Sequence, residues 1–199
     1  LRANAVIVTV PVGVLKAGGI RFTPELPAAT RDALAGIGMG ALTKIALRVE
    51  GDRLGLPPGT SALEAGSPKA LMNFDMFPDG KDLVIGYCGG DYARELSRAG
   101  PAEAQAHVTD LLARMFGASV RPAVKACSFP AWWTDPWALG SYSVCLPGHD
   151  KAREALGQPI GNGRIVIAGE ATAGGGAMTV GGATLAGRAA AATVAKLKA

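Results

Sequence analysis

Three stretches of the chain combine residue types that can do chemistry. In the first, Gly38-Met39-Gly40 leads into a strand-like run that carries Lys44 among apolar neighbours. Such a lysine either snorkels at a sheet edge or holds its charge toward a ligand, and the run alone admits both. The second is Trp132-Trp133-Thr134-Asp135-Pro136-Trp137-Ala138-Leu139-Gly140-Ser141-Tyr142-Ser143. Its aromatic, glycine and proline residues suit a rigid loop presenting flat π surfaces, or equally a plug in the core. The third runs from Gly163-Arg164-Ile165-Val166-Ile167-Ala168-Gly169-Glu170, through Gly174 to Gly176, into Met178-Thr179-Val180-Gly181-Gly182-Ala183. A strand, a glycine loop and a helix start of small residues suit a planar anionic ligand. The first amides of the helix face outward, and the missing side chains let the backbone approach. Glu170 could accept hydrogen bonds from ligand hydroxyls.

Other chemistries lack their residues. The two histidines, His107 and His149, stand in open contexts and no Gly-x-Ser-x-Gly elbow occurs, so no nucleophile triad is indicated. Neither a Gly-x-Gly-x-x-Gly after a strand nor a Gly-x-x-x-x-Gly-Lys-Ser/Thr loop is present. Asp135 and Glu170 are not spaced as an acid/base pair. Cys88, Cys127 and Cys145 lie far apart without a Cys-x-x-Cys pair, which argues against both a disulfide framework and a zinc site; no metal is expected.

The elements that would position these residues follow from pattern. The 199 residues are 49% hydrophobic and 18% charged, enough apolar material for one domain or one and a half. A net charge of +4 from scattered Lys and Arg leaves no nucleic-acid footprint. No run reaches the roughly 18 uninterrupted apolar residues of a membrane-spanning helix. Residues 6–10 are mostly β-branched and closed by Pro11 and Gly13, which suits a buried strand entering a loop better than a signal peptide. Its neighbours are expected upstream, so the chain reads as the back part of something larger. Residues 28–35 predict a short helix after Pro27, ended by Gly36, Gly38 and Gly40. Residues 42–49 alternate as a strand, with Thr43, Ile45, Leu47 and Val49 on one face and Lys44 on the other. Residues 70–77 and 83–88 flank Pro78-Asp79-Gly80-Lys81-Asp82 as a hairpin. Residues 101–116 carry Val108, Leu111, Leu112, Met115 and Phe116 at helical spacing, with His107 beside that face in a structural role. Strands are predicted at 124–129 and 164–168, and a final helix at 180–197. The order suggests an α/β framework with an inserted α+β part.

Taken in order, residues 6–16, 38–49, 132–143 and 164–188 resemble the flavin-dependent amine oxidase family, which includes monoamine oxidases, polyamine oxidases and flavin-type histone demethylases. The resemblance runs over nearly the whole chain. It implies the C-terminal part of a two-domain FAD-binding (Rossmann-like) amine oxidase fold, with the N-terminal dinucleotide-binding unit missing. Residues 1–20 and 150–199 would then be pieces of the FAD-binding domain, and residues 21–149 the substrate-binding domain, a mixed sheet with helices.

The resemblance also implies roles. Lys44 is similar to the family's active-site lysine, which holds a water near the flavin. Trp132 resembles the aromatic lining beside the flavin ring, and Tyr142 one wall of the cage that aligns the substrate amine. Glu170, with Gly169, resembles the carboxylate region at the FAD ribityl or pyrophosphate. Thr179 and Val180 are similar to the pair whose backbone meets the flavin's pyrimidine edge, and Trp137 and Pro11 complete the implied cofactor contacts. Ser141 stands where monoamine oxidases carry a flavin-linked cysteine, so non-covalent FAD is expected. Thr179 takes the place of a second cage tyrosine, and Gly181 that of a histidine.

The implied function is oxidation of a small-molecule amine to an imine with O2 reduced to H2O2. The isolated chain would be inactive without the missing N-terminal FAD-binding segment or chain. A related oxidase acting on amino acids would need a carboxylate-clamping arginine, for which Arg48, Arg94 and Arg121 are candidates. A non-catalytic flavin-fold fragment acting through a partner chain is the other alternative. No nucleic-acid or membrane partner is expected, and unpaired cysteines without a signal favour a cytoplasmic location.

Overall fold

The structure, a computed structural model, describes residues 1–64, 66–67 and 70–197. The first elements are β1 (Val6–Val8), α1 (Val12–Lys16), α2 (Ala28–Ala35), β2 (Ile37–Gly40) and β3 (Leu42–Val49). Next come β4 (Thr60–Glu64), β5 (Met72–Met76), β6 (Leu83–Gly89), α3 (Gly90–Ala99) and α4 (Pro101–Phe116). The remainder holds α5 (Val120–Ala123), β7 (Val124–Ser128), β8 (Tyr142–Cys145), α6 (Ala152–Leu156), β9 (Ile165–Ile167) and α7 (Val180–Ala195). They gather into two compact units, one made of Leu1–Gly40 and Asp135–Ala199, the other of Ala41–Thr134.

The unit of residues 41–134 is a five-stranded antiparallel sheet in the order β4-β5-β6-β3-β7. Alternation along β3 decides which face is covered: Thr43, Ile45, Leu47 and Val49 are buried, while Lys44 and Arg48 are exposed. Helix α4 packs Ala104, Val108, Leu111 and Leu112 into the same core as Phe74, Phe77 and Val84. Pro101 occupies its first turn, where its missing N–H is not needed, and Gly117 ends it with φ 95°, a conformation costly for side-chain-bearing residues. Half-buried His107 meets the hydroxyl of Tyr92 through Nε2, joining α4 to α3 in the structural role expected of it. Burial pushes the Cys88 thiol up to about 12, so it behaves as an apolar core group.

The other unit pairs β1 with β9 in parallel and β2 with β8 antiparallel. Its core joins Val8, Val12, Leu15 and Ile37 to Leu156 and Ile167. Three expectations need correction here. One neighbour of β1 lies downstream, with Val6 opposite Ile165 and Val8 opposite Ile167, and Val6 is exposed rather than buried. The segment after Pro11 is the helix α1, not a loop. Residues 37–40, expected only to stop a helix, form β2, because Ile37 is fully buried and pairs with Cys145.

The β2–β8 ladder lies within the unit of Leu1–Gly40 and Asp135–Ala199, pairing Ile37 with Cys145 and Gly40 with Tyr142. Strand β4 and helices α3 and α6 escape the sequence pattern. The first is a short edge strand, α3 opens on two glycines, and α6 spans only five residues. Among the described residues, no helix is long and apolar enough to cross a membrane.

Candidate functional site

The most ordered polar cluster forms around Glu170. Gly169 follows β9 with φ 132°, a conformation open essentially to glycine, and this turn sets Glu170 at the head of a short 3-10 turn. Its carboxylate is then met by three donors. Oε1 accepts from the Ser143 amide at 2.8 Å, and Oε2 accepts from the Ser143 hydroxyl at 2.8 Å and the Met178 amide at 2.9 Å. Behind them lies Arg153, only 9% exposed. It donates to the Ser143 hydroxyl at 2.5 Å, the Ser143 carbonyl at 3.0 Å and the Ala171 carbonyl at 3.2 Å. Its guanidinium also lies 3.9 Å from Glu170 Oε2. The planar fork of arginine suits this set of acceptors, and the carboxylate offsets its buried charge.

This junction joins the two segments that carry the expected ring contacts. Ser143 is next to Tyr142 on β8, and Met178 is next to Thr179 at the start of α7. One carboxylate therefore holds both backbones. It also leaves Glu170 little capacity for a ligand hydroxyl, since a carboxylate offers about four acceptor sites and the chain's own donors take three.

Thr179 caps α7: its Oγ1 accepts from the Gly182 amide at 2.9 Å and donates to the Gly176 carbonyl at 2.7 Å. No acidic residue sits in the first turn to offset the positive end of the helix. A Cβ at Gly175 would meet nothing within 4 Å, and one at Gly181 only Thr179 Oγ1 at 3.9 Å. Exposed Val180 and Met178 border this opening. Bare backbone, an uncompensated helix start and apolar side chains fit the edge of a flavin ring, which is planar, apolar on its faces and electron-accepting at one rim.

Tyr142 opens β8 opposite Gly40. Its ring is seated by that glycine: a Cβ on Gly40 would lie 2.8 Å from Tyr142 Cε2. The aromatic loop turns out to be both things its sequence allowed. Trp133 packs on the core of the 41–134 unit and under Arg94, at 4.6 Å, whereas Trp132 and Trp137 are exposed. Pro11 caps α1 at the exit of β1. Lys44 is exposed on β3, paired with Tyr87 of β6 on one side and beyond the reach of β7, whose ladder with β3 covers only Ala46 to Val49; its ammonium lies 5.3 Å from the centre of the Tyr87 ring.

Lys44 and Trp132 belong to the 41–134 unit; Pro11, Trp137, Tyr142, Gly169, Glu170, Thr179 and Val180 belong to the other. Within the latter, Glu170 binds Ser143 and Met178, the chain neighbours of Tyr142 and Thr179. Sequence reading missed Ser143 and Arg153, because a buried serine and a helix-borne arginine carry no spacing signal. Arg48, Arg94 and Arg121, the candidate carboxylate clamps, are each paired with an acid of their own, Glu50, Asp91 and Asp110. Among the described residues no group of three or more His, Cys, Asp or Glu could hold a metal ion.

The chain has recognisable relatives among known proteins. The sequence profile of the flavin containing amine oxidoreductases matches residues 1–195. Lysine-specific histone demethylase 1 homolog 1 of Arabidopsis thaliana is 32% identical over 82% of the chain, and polyamine oxidase 5 of Oryza sativa subsp. japonica 33% identical over 85%. The chain spans 20% and 34% of those two proteins. Among solved structures, putrescine oxidase bound to putrescine shares the fold over 98% of the chain and 43% of its own, with a TM-score of 0.76 at 20% identity. Cyclohexylamine oxidase from Brevibacterium oxydans matches 99% of the chain and 44% of its own, with a TM-score of 0.70 at 25% identity. With a family match that runs from the first residue to the 195th, the chain belongs to the flavin containing amine oxidoreductases.

Proposed function

We propose that the chain forms the flavin-ring side and the substrate side of an FAD-dependent amine oxidase, which converts an amine to an imine and reduces O2 to H2O2. The observation that carries this reading is the Glu170 junction, which ties the Tyr142 strand to the capped start of α7. Bound there without a covalent link, FAD supplies the acceptance of a hydride equivalent from the amine's α-carbon and its transfer to O2.

The chain's own residues supply placement and electrostatics. The amides at Thr179 and Val180 and the positive end of α7 stabilise negative charge at the ring's rim. Tyr142 supplies a flat apolar wall that excludes water and favours an uncharged amine over an ammonium, and Trp132 keeps the role of aromatic lining that the resemblance assigns to it. Lys44 holds a cation and its bound water on the substrate side. Gly169, Pro11 and Trp137 line the cofactor's approach, with Glu170 acting chiefly by fixing Ser143 and Met178. Non-covalent attachment is supported by Ser141 in the position of a linking thiol, and by Cys145, which packs against the core of its unit. In this reading the unit built on Leu1–Gly40 and Asp135–Ala199 serves FAD and the unit Ala41–Thr134 serves the substrate. The pyrophosphate fingerprint comes from a further segment or chain, since none occurs in the 199 residues. The internal pairing of Arg48, Arg94 and Arg121 favours a simple amine over an amino acid as substrate.

The test is a visible spectrum of the complete protein before and after anaerobic addition of a primary amine or a diamine. Flavin bands that bleach support the reading; flavin bands indifferent to every amine refute it. In the same protein, Lys44→Met is expected to retain flavin and lose about a hundredfold in turnover. Gly40→Ala is expected to push the Tyr142 ring off its seat at a cost of about 1 kcal/mol, raising the KM for amine severalfold without releasing flavin. Steady-state kinetics and denaturant unfolding read these two effects separately.

A further inference from the structure

The exposed face of the five-stranded sheet carries polar side chains on three adjacent strands, β3, β6 and β5. Lys44 on β3 is the direct cross-strand partner of Tyr87 on β6. On the next pair Asn73 stands opposite Tyr87 and Asp75 opposite Ile85, which makes Asp75 the diagonal, same-face neighbour of Tyr87. The Lys44 ammonium lies 5.3 Å from the Tyr87 ring centre, inside the roughly 6 Å at which a cation is drawn to an aromatic face.

Given the oxidase reading, on which this inference rests, we propose that Tyr87, oriented by Asp75, is the positioning residue for Lys44. The argument is one of order and charge. A lysine stem has four rotatable carbons, and an exposed ammonium left alone samples many rotamers. A neutral ring can hold it over one spot without cancelling its charge, which a directly paired carboxylate would do. Asp75 then acts one side chain away. Burial first, and then the hydrogen bond and charge of Asp75, raise the Tyr87 phenol above its ordinary value. The hydroxyl therefore stays protonated and turned to the carboxylate, and the ring face stays turned to Lys44. On the other side of Tyr87, Ser61 donates to the Asn73 side-chain oxygen at 3.3 Å, which keeps that amide engaged beside the ring.

The experiment labels the lysines of the complete, flavin-loaded protein by reductive 13C-methylation, with the Lys44 signal assigned by its loss in Lys44→Arg. Expected is a ring-current-shifted Lys44 resonance in the parent protein. In Tyr87→Leu it moves to the position of an exposed lysine, with O2-dependent reoxidation slowed about two- to fivefold. Tyr87→Phe, which keeps the ring, restores most of the shift, and Asp75→Asn falls between. Should Tyr87→Leu fail to fold, the Asp75→Asn and Tyr87→Phe spectra decide the matter on their own. A Lys44 resonance at the exposed-lysine position in the parent, or one unmoved by these variants, overturns the proposal. The resonance is independent of turnover, so a flavin that no amine bleaches would overturn the oxidase reading alone.

Discussion

Gly182→Ala is expected to destabilise the protein by about 3–4 kcal/mol and to weaken flavin retention at least tenfold, by about an order of magnitude or more. A Cβ at Gly182 would lie 1.8 Å from the Gly176 carbonyl oxygen and 2.5 Å from its carbon. Both are backbone atoms, so no rotamer change relieves the overlap, and the start of α7 must part from the Gly174–Gly176 turn. Parting them breaks the hydrogen bond from Thr179 Oγ1 to the Gly176 carbonyl and loosens the amide of Met178 on Glu170. In a chain of this size the cost corresponds to a fall in Tm of about 10 °C. Gly181→Ala is the control. Its Cβ meets open space, and alanine is the better helix former by about 0.5–1 kcal/mol, so stability is expected to hold or rise. Calorimetry and flavin titration of the pair check the argument; equal losses at both positions would refute it.

Arg153→Met is the second large effect. The methionine fills similar volume but leaves the Ser143 and Ala171 carbonyls without their donor and the Glu170 carboxylate without its cation. Loss of one member of a buried pair typically costs about 3–5 kcal/mol, and partial exposure of Glu170 lowers the expectation here to about 2–4 kcal/mol. Glu170→Gln should also destabilise, because its amide nitrogen would face the Met178 amide or the Ser143 amide, donor against donor. Since both residues act through Ser143, the double variant is expected to lose clearly less than the sum of the two single losses. Arg153→Lys should recover only part of the stability, as a point charge cannot meet three acceptors spread around a planar fork. Denaturant unfolding of the four variants measures the coupling, and strict additivity would show that the network is not one unit.

The contrast between these residues and those recognised from sequence shows where local pattern is informative. Helix α4 matches its expected bounds because its start, its end and its apolar stripe are all written within sixteen residues. The β5–β6 hairpin and the alternation of β3 are legible for the same reason. Strand β2 is not: its glycines look like a stop until Ile37 finds Cys145 more than a hundred residues later. Helix α6 offers only one turn of pattern, and its identity rests on Ala152 and Leu156 reaching a core built by β1, α2 and β9.

The candidate site divides along the same line. Lys44, Trp132, Tyr142, Glu170 and Thr179 stand out because each sits in a short stretch of unusual composition and because those stretches, in order, resemble the flavin-dependent amine oxidases. What Glu170 does there is not local. The glycine loop and helix start that suit a flavin are encoded between residues 163 and 183, since backbone approach and helix polarity need nothing from elsewhere. The use of Glu170 as a fastener depends on Ser143 and Arg153, brought to it from β8 and α6 by packing. The family was thus legible in the sequence alone. The carboxylate's partners, the division of the chain into its two units and the seat of Lys44 on Tyr87 were decided only by tertiary structure, because hydrogen bonds and cross-strand pairs join residues whose spacing carries no period.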